Sequence, residues 1–113
     1  MSFAGAMIVA VAAPAAGQAV IPSRFAGEWQ RAITQCGGDQ ENTLRISSSS
    51  LTFYEAVFEP RKVRRSTSSV LVADGMWHED RNVRVRLTLT LSHDRKHLVV
   101  RSPWWTNHLV KCA

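Results

Sequence analysis

The run Val83-Arg84-Val85-Arg86-Leu87-Thr88-Leu89-Thr90-Leu91 leaves this chain little choice of fold. Its aliphatic residues fall on every second position, and Arg and Thr fill the positions between. Side chains alternate across a strand, so strict period two with β-branched residues on both faces predicts a half-buried antiparallel strand. The same reading fits residues 43–46, 51–56, 70–77 and 98–101. Turn signals separate these segments: Cys36-Gly37-Gly38-Asp39, the serine run 47–50, Asp80-Arg81-Asn82 and Ser92-His93-Asp94-Arg95. Asp74-Gly75 is a further turn signal, or else a bulge within a longer strand, because hydrophobic residues resume at Met76-Trp77. Helix signals are sparse. Residues 23–32 supply Phe25, Ala26, Trp29 and Ala32 with Ser23 as a candidate N-cap, but Gly27 favours extended structure from that point. The count is seven or eight short strands, an all-β domain built as a small antiparallel barrel or sandwich. Its predicted core is Trp29, Leu44, Ile46, Leu51, Phe53, Val70, Val72, Val85, Leu87, Leu89, Leu98 and Val100, with Phe58 and Trp77 also inside.

Residues 1–19 do not read as part of that domain. From Phe3 to Ala16 the chain is uncharged and rich in Ala, Val, Ile and Met. The run has the length of a signal-peptide core and falls short of the ~20 residues that span a bilayer. Gly17 and Ala19 supply the small residues of a cleavage site, although Met1-Ser2 lacks the usual basic start. The expectation is a cleaved signal over residues 1–19 and one domain over residues 20–113, periplasmic or secreted, with no stable transmembrane segment left after cleavage.

Export makes the two cysteines, Cys36 and Cys112, a predicted disulfide. Neither lies in a CxxC motif, which argues against a metal site. Closing so long a loop would stabilise a small domain by about 4 kcal/mol on the chain-entropy model, and a core of this size needs such help. The bond also constrains topology. In an even-stranded up-and-down barrel the end of the first strand lies far from the end of the last. Either the strand count is odd, or the Cys36 loop folds back along the barrel to bring the Cα atoms within about 7 Å.

The formal net charge is +5, and residues 1–19 contain no ionisable side chain, so the whole excess belongs to the domain. Such a surface favours anionic partners: lipid headgroups, lipopolysaccharide phosphates or an acidic protein face. Nucleic acid fits the charge but conflicts with export. The densest cluster is Arg61-Lys62-Val63-Arg64-Arg65 after Pro60, readable as an anion-docking site or as a solvated turn. Trp104 and Trp105 follow Pro103 in an edge or loop context, with Arg101 nearby. An exposed Trp there would serve as a binding anchor, and a buried one as a barrel cap. Arg61, Lys62, Arg64, Arg65, Arg101, Trp104 and Trp105 are therefore the candidate binding surface. Tyr54 and Glu55 mark a possible rim.

No catalytic signature accompanies them. His93 and His97 flank Asp94 across a hairpin turn, but Arg95 and Lys96 would oppose a cation. His78-Glu79-Asp80 clusters acid and base without an HExxH pattern. There is no GxSxG elbow and no Gly-rich phosphate loop. The chain reads as a non-enzyme that needs no cofactor or metal.

Gly27-Glu28-Trp29 resembles the first-strand G-x-W of lipocalins and other calycin barrels, where the Trp plugs one end of the barrel. More widely, IPSRFAGEW at residues 21–29, LTFYEA at residues 51–56 and the terminal Lys111-Cys112 resemble small exported β-rich proteins of proteobacteria. That resemblance implies an exported β-rich domain and transfers no activity or site residue. Two functions follow as expectations. The first is a non-catalytic module that engages a protein or an anionic envelope component through its basic, Trp-bearing surface. The second is a calycin-like barrel holding an apolar small ligand inside. The bulky inward set of Leu, Val, Phe and Trp would fill so narrow a barrel and favours the first.

Overall fold

The structure, a computed structural model, describes residues 19–38, 41 and 43–112. The export signal read over residues 1–19 lies outside this range except for Ala19. Among the described residues, a short 3-10 turn at Ser23–Phe25 is followed by eight strands: β1 Gly27–Gln30, β2 Leu44–Ile46, β3 Leu51–Thr52, β4 Val57–Ser66, β5 Val70–His78, β6 Asn82–Leu91, β7 His97–Arg101 and β8 Thr106–Lys111. Each pairs antiparallel with its sequence neighbours, and β1 pairs with β8 to close the barrel. The all-β expectation holds. Barrel rather than sandwich, and eight strands rather than seven, are settled by that last pairing.

Closure also answers the disulfide question. Cys36 and Cys112 are bonded, with Cα atoms 5.6 Å apart. The chain leaves β1, passes through a 3-10 turn at Ile33–Gln35 and folds back along the barrel wall. Two contacts fix the return: the Gly37 amide donates to Glu28 Oε2 at 3.1 Å, and the Cys112 amide donates to the Glu28 carbonyl at 2.9 Å.

The core is the inward half of each alternation. Leu87, Leu89 and Leu91 of β6, Leu98 and Val100 of β7, Leu44 and Ile46 of β2 and Leu51 of β3 are all buried. Val83 shares their face, but it sits at the strand's start and is 37% exposed. On β5 the parity is opposite to expectation. Leu71, Ala73, Gly75 and Trp77 point inward, whereas Val70 and Val72 are only half-buried on the outer face. Phe53, expected in the core, lies beyond β3 and packs against the core from a half-buried position. The strand expected over residues 51–56 is short because Phe53 begins a turn, its amide bonded to the Ala56 carbonyl.

One end of the barrel is closed. Phe25 and Trp29 are fully buried, and the Trp29 indole N–H donates to the Phe25 carbonyl at 3.0 Å. Lys111 Nζ stands 5.1 Å from the Trp29 ring centroid, within cation–π range. Arg24 reaches across to the Ser66 hydroxyl and the Thr67 carbonyl, tying the β4–β5 turn to this end.

The bulge expected at Asp74-Gly75 belongs to the neighbouring strand. β5 runs without interruption, and β4 carries two register shifts, between Pro60 and Lys62 and between Val63 and Arg65. Arg61 and Arg64 are the extra residues. Gly75 explains why β4 bends here: a Cβ at that position would lie 2.2 Å from the Glu59 carbonyl oxygen. Since this obstacle is backbone, Gly75→Ala should cost about 1–3 kcal/mol, near the upper end, measured by denaturant unfolding. A variant as stable as the parent would show that β4 can move away freely.

Candidate functional site

β4, β5 and β6 are the longest strands, and their outer faces collect charge. Period two places Lys62 of β4, Asp74 and Met76 of β5, and Arg84 and Arg86 of β6 on one side, with Lys62 opposite Asp74 and Asp74 opposite Arg86. The two bulges add Arg61 and Arg64 to the same surface. The result is an open groove of about 640 Å³ lined by Arg61, Lys62, Arg64, Arg84 and Arg86, with Asp74 as its only carboxylate among the described residues. β-Bulges re-aim side chains in this way, and here they turn an irregular stretch of sequence into a concentration of cations.

Asp74 is the groove's organising group. Arg86 Nε donates to Asp74 Oδ1 at 2.7 Å and its Nη2 to Oδ2 at 3.2 Å, while Arg64 Nε donates to Oδ2 at 2.6 Å. These hydrogen bonds, Arg86's first and then Arg64's, hold the Asp74 carboxyl far below the ordinary carboxylate range. The same contact raises Arg86. Depressed titration of this kind stabilises the fold above the ordinary Asp value and is lost as pH falls through the lowered one, so the arrangement persists across neutral and mildly acid conditions. Arg61 is bonded to Glu59 at 3.0 Å, and that contact, with His78 second, lowers the Glu59 carboxyl. Lys62 and Arg84 have no carboxylate within ion-pair distance among the described residues. The groove therefore holds two guanidinium groups in place with one carboxylate and leaves net positive charge facing solvent.

The sequence-predicted surface is divided by the fold. Arg61, Lys62 and Arg64 line the groove. Arg65 is exposed further along β4, opposite Val72. Arg101 ends β7 opposite Thr88 of β6, an exposed position beyond Arg86. Trp104 and Trp105 belong elsewhere, in the β7–β8 turn at the open end of the barrel. Ser102 builds that turn by accepting the Trp104 and Trp105 amides at 3.0 and 3.1 Å. In a turn the two indoles need not diverge as they would on a strand. Both meet Trp77, at centroid distances of 5.7 and 5.8 Å. Trp105 packs on the core, whereas Trp104 is 55% exposed.

Arg84, Arg86 and Asp74 were missed as site residues. Their signal was present in the alternation of residues 83–91, which put the two arginines on one outer face, but only strand pairing brings Asp74 and the β4 cluster beside them. The histidines form no comparable centre. His97 Nδ1 lies 3.9 Å from Asp94, and His78 bonds Asn82 at 2.7 Å. Among the described residues no three His, Cys, Asp or Glu side chains gather as a metal set, and no helix is long and apolar enough to cross a membrane.

Comparison with known proteins found no matching family model, no similar curated protein and no similar solved structure.

Proposed function

We propose that this protein is a non-catalytic, exported binding module whose basic groove engages an anionic component of the cell envelope, a lipid or lipopolysaccharide headgroup. One observation carries the reading: among the described residues, five cationic side chains from three adjacent strands share an open groove with a single carboxylate. Arginine is suited to the task, since a guanidinium already oriented by Asp74 can offer its remaining N–H groups to phosphate oxygens. The disulfide is compatible with the oxidising compartment that this role needs. An acidic protein face is the competing partner and is distinguished by the same experiment.

Binding to phosphatidylglycerol vesicles or to lipopolysaccharide should exceed binding to neutral vesicles and should weaken steeply with salt, because exposed charges are screened beyond about 8–10 Å at physiological ionic strength. Each base near an anionic surface contributes roughly 1 kcal/mol, so Lys62→Glu with Arg84→Glu should weaken binding at least tenfold. Asp74→Asn should tighten it, since both arginines are released and a negative charge is removed. Vesicle affinity indifferent to salt and to these substitutions would end the proposal. Retention of an acidic protein, without vesicle binding, would redirect it to a protein partner.

A further inference from the structure

Antiparallel alternation brings the β3–β4, β5–β6 and β7–β8 turns to the end of the barrel opposite Phe25. The barrel is not filled there. A cavity of about 390 Å³ opens to solvent, within the size range of small-molecule sites. Its wall is aromatic. Phe53, Trp77 and Trp105 form a triangle with centroids 4.9, 5.6 and 5.8 Å apart and ring planes inclined by 46–62°, a concave surface rather than a flat stack. Tyr54, 56% exposed, stands at the edge.

The charge at this end is the reverse of the groove's. Among the described residues the cavity lining carries the carboxylates Glu41, Glu55 and Glu79 against one guanidinium, Arg31, in a protein of net charge +5. Glu79 Oε1 accepts the Trp77 indole N–H at 3.0 Å, which fixes a carboxylate beside the aromatic wall. Glu55 has no cationic partner within ion-pair distance among the described residues. An apolar ligand would leave this acidic rim without purpose, and an anion would be repelled by it. Aromatic rings with adjacent carboxylates are the chemistry that recognises an organic cation, through ring quadrupoles and direct charge attraction.

We propose that the open end of the barrel binds a small organic monocation, an alkylammonium or alkylguanidinium group, between the Phe53–Trp77–Trp105 wall and the Glu55 and Glu79 carboxylates. This site is independent of the basic groove, and neither depends on the other being occupied.

The test uses the disulfide-bonded protein and its four tryptophan indole N–H resonances. Choline and ethylguanidinium are titrated separately, with 3,3-dimethylbutanol as the neutral isostere of choline. The expected result is saturable shifting of the Trp77 and Trp105 indole signals by at least one cation, with the Trp29 signal at the closed end unmoved and the isostere inactive. Trp105→Ala should weaken binding about tenfold and Trp105→Phe should restore most of it. Glu55→Gln and Glu79→Gln should each weaken it about fivefold. In the second of these the new amide oxygen can still accept the Trp77 indole bond, so that loss reports charge. No saturable shift with either cation overturns the proposal. Equal binding of the neutral isostere also overturns it, in favour of an apolar ligand. Shifts that include Trp29 would mark a non-specific effect and would equally sink it. Lys62→Glu with Arg84→Glu should leave cation binding intact, which separates failure here from failure at the groove.

Discussion

Replacing Cys36 and Cys112 together by Ser should lower the unfolding free energy by about 2–5 kcal/mol, a large share of what a domain this small possesses. The bond closes a loop of 76 residues, so most of the effect comes from freeing the unfolded chain. A second contribution is local. The bond anchors the segment that returns along the barrel, and Glu28 accepts from both Gly37 and Cys112 beside it. Denaturant melts of the double variant, with a thiol titration showing no free thiol in the unreduced parent, measure both points. Unchanged stability, or two free thiols in the parent, would contradict this account.

The second large effect is expected at Trp29. Its side chain is fully buried, its indole N–H is bonded to Phe25, and Lys111 covers its ring. Trp29→Ala should cost about 3–5 kcal/mol and leave the Phe25 carbonyl without its donor. Trp29→Phe should recover most of the packing but not the hydrogen bond, a residual loss of roughly 1 kcal/mol. Equal losses in the two variants would mean that the hydrogen bond, and not the ring volume, holds this end shut. Trp29 thus closes its end of the barrel by both ring volume and a hydrogen bond, and the two variants separate these contributions.

What the sequence revealed and what it hid divide along physical lines. β6 was readable because Leu and Val alternate with Arg and Thr without a break. The inner face of β5 carries the small Ala73 and Gly75, the latter where β4 approaches too closely for a side chain, while the outer face carries Val70, Val72 and Met76. Apolar size therefore pointed to the wrong side. β4 looked like a charged turn because its two bulges shift the alternation twice within a few residues, erasing the period that identifies a strand. The candidate surfaces were visible only as parts. Arg61, Lys62 and Arg64 stood out as a charge run, yet their neighbours Arg84, Arg86 and Asp74 come from other strands. The cluster of Phe53, Trp77 and Trp105 joins two turns and the end of β5, segments distant in the chain, and no local pattern announces it.

The pairing of β1 with β8 has a further consequence for how this chain can be rearranged. Gly27 and Lys111 meet at the closed end, so close that a Cβ on Gly27 would lie 2.8 Å from Lys111 Cε. The order in which the staves are connected is therefore not imposed by the barrel. A linker from Cys112 to Val20, ahead of the Ser23–Phe25 turn so that Phe25 stays beneath Trp29, with new ends opened in the exposed Ser47–Ser49 turn, would give a circularly permuted chain that keeps every strand pair and the cystine, and tolerance of such relocated ends is common at exposed polar turns. That permuted chain would hold its acidic, aromatic end and its basic flank in their native relation while its ends emerge from the closed end of the barrel, at the β2–β3 turn beside Ile21, which makes the domain insertable into another protein's surface loop.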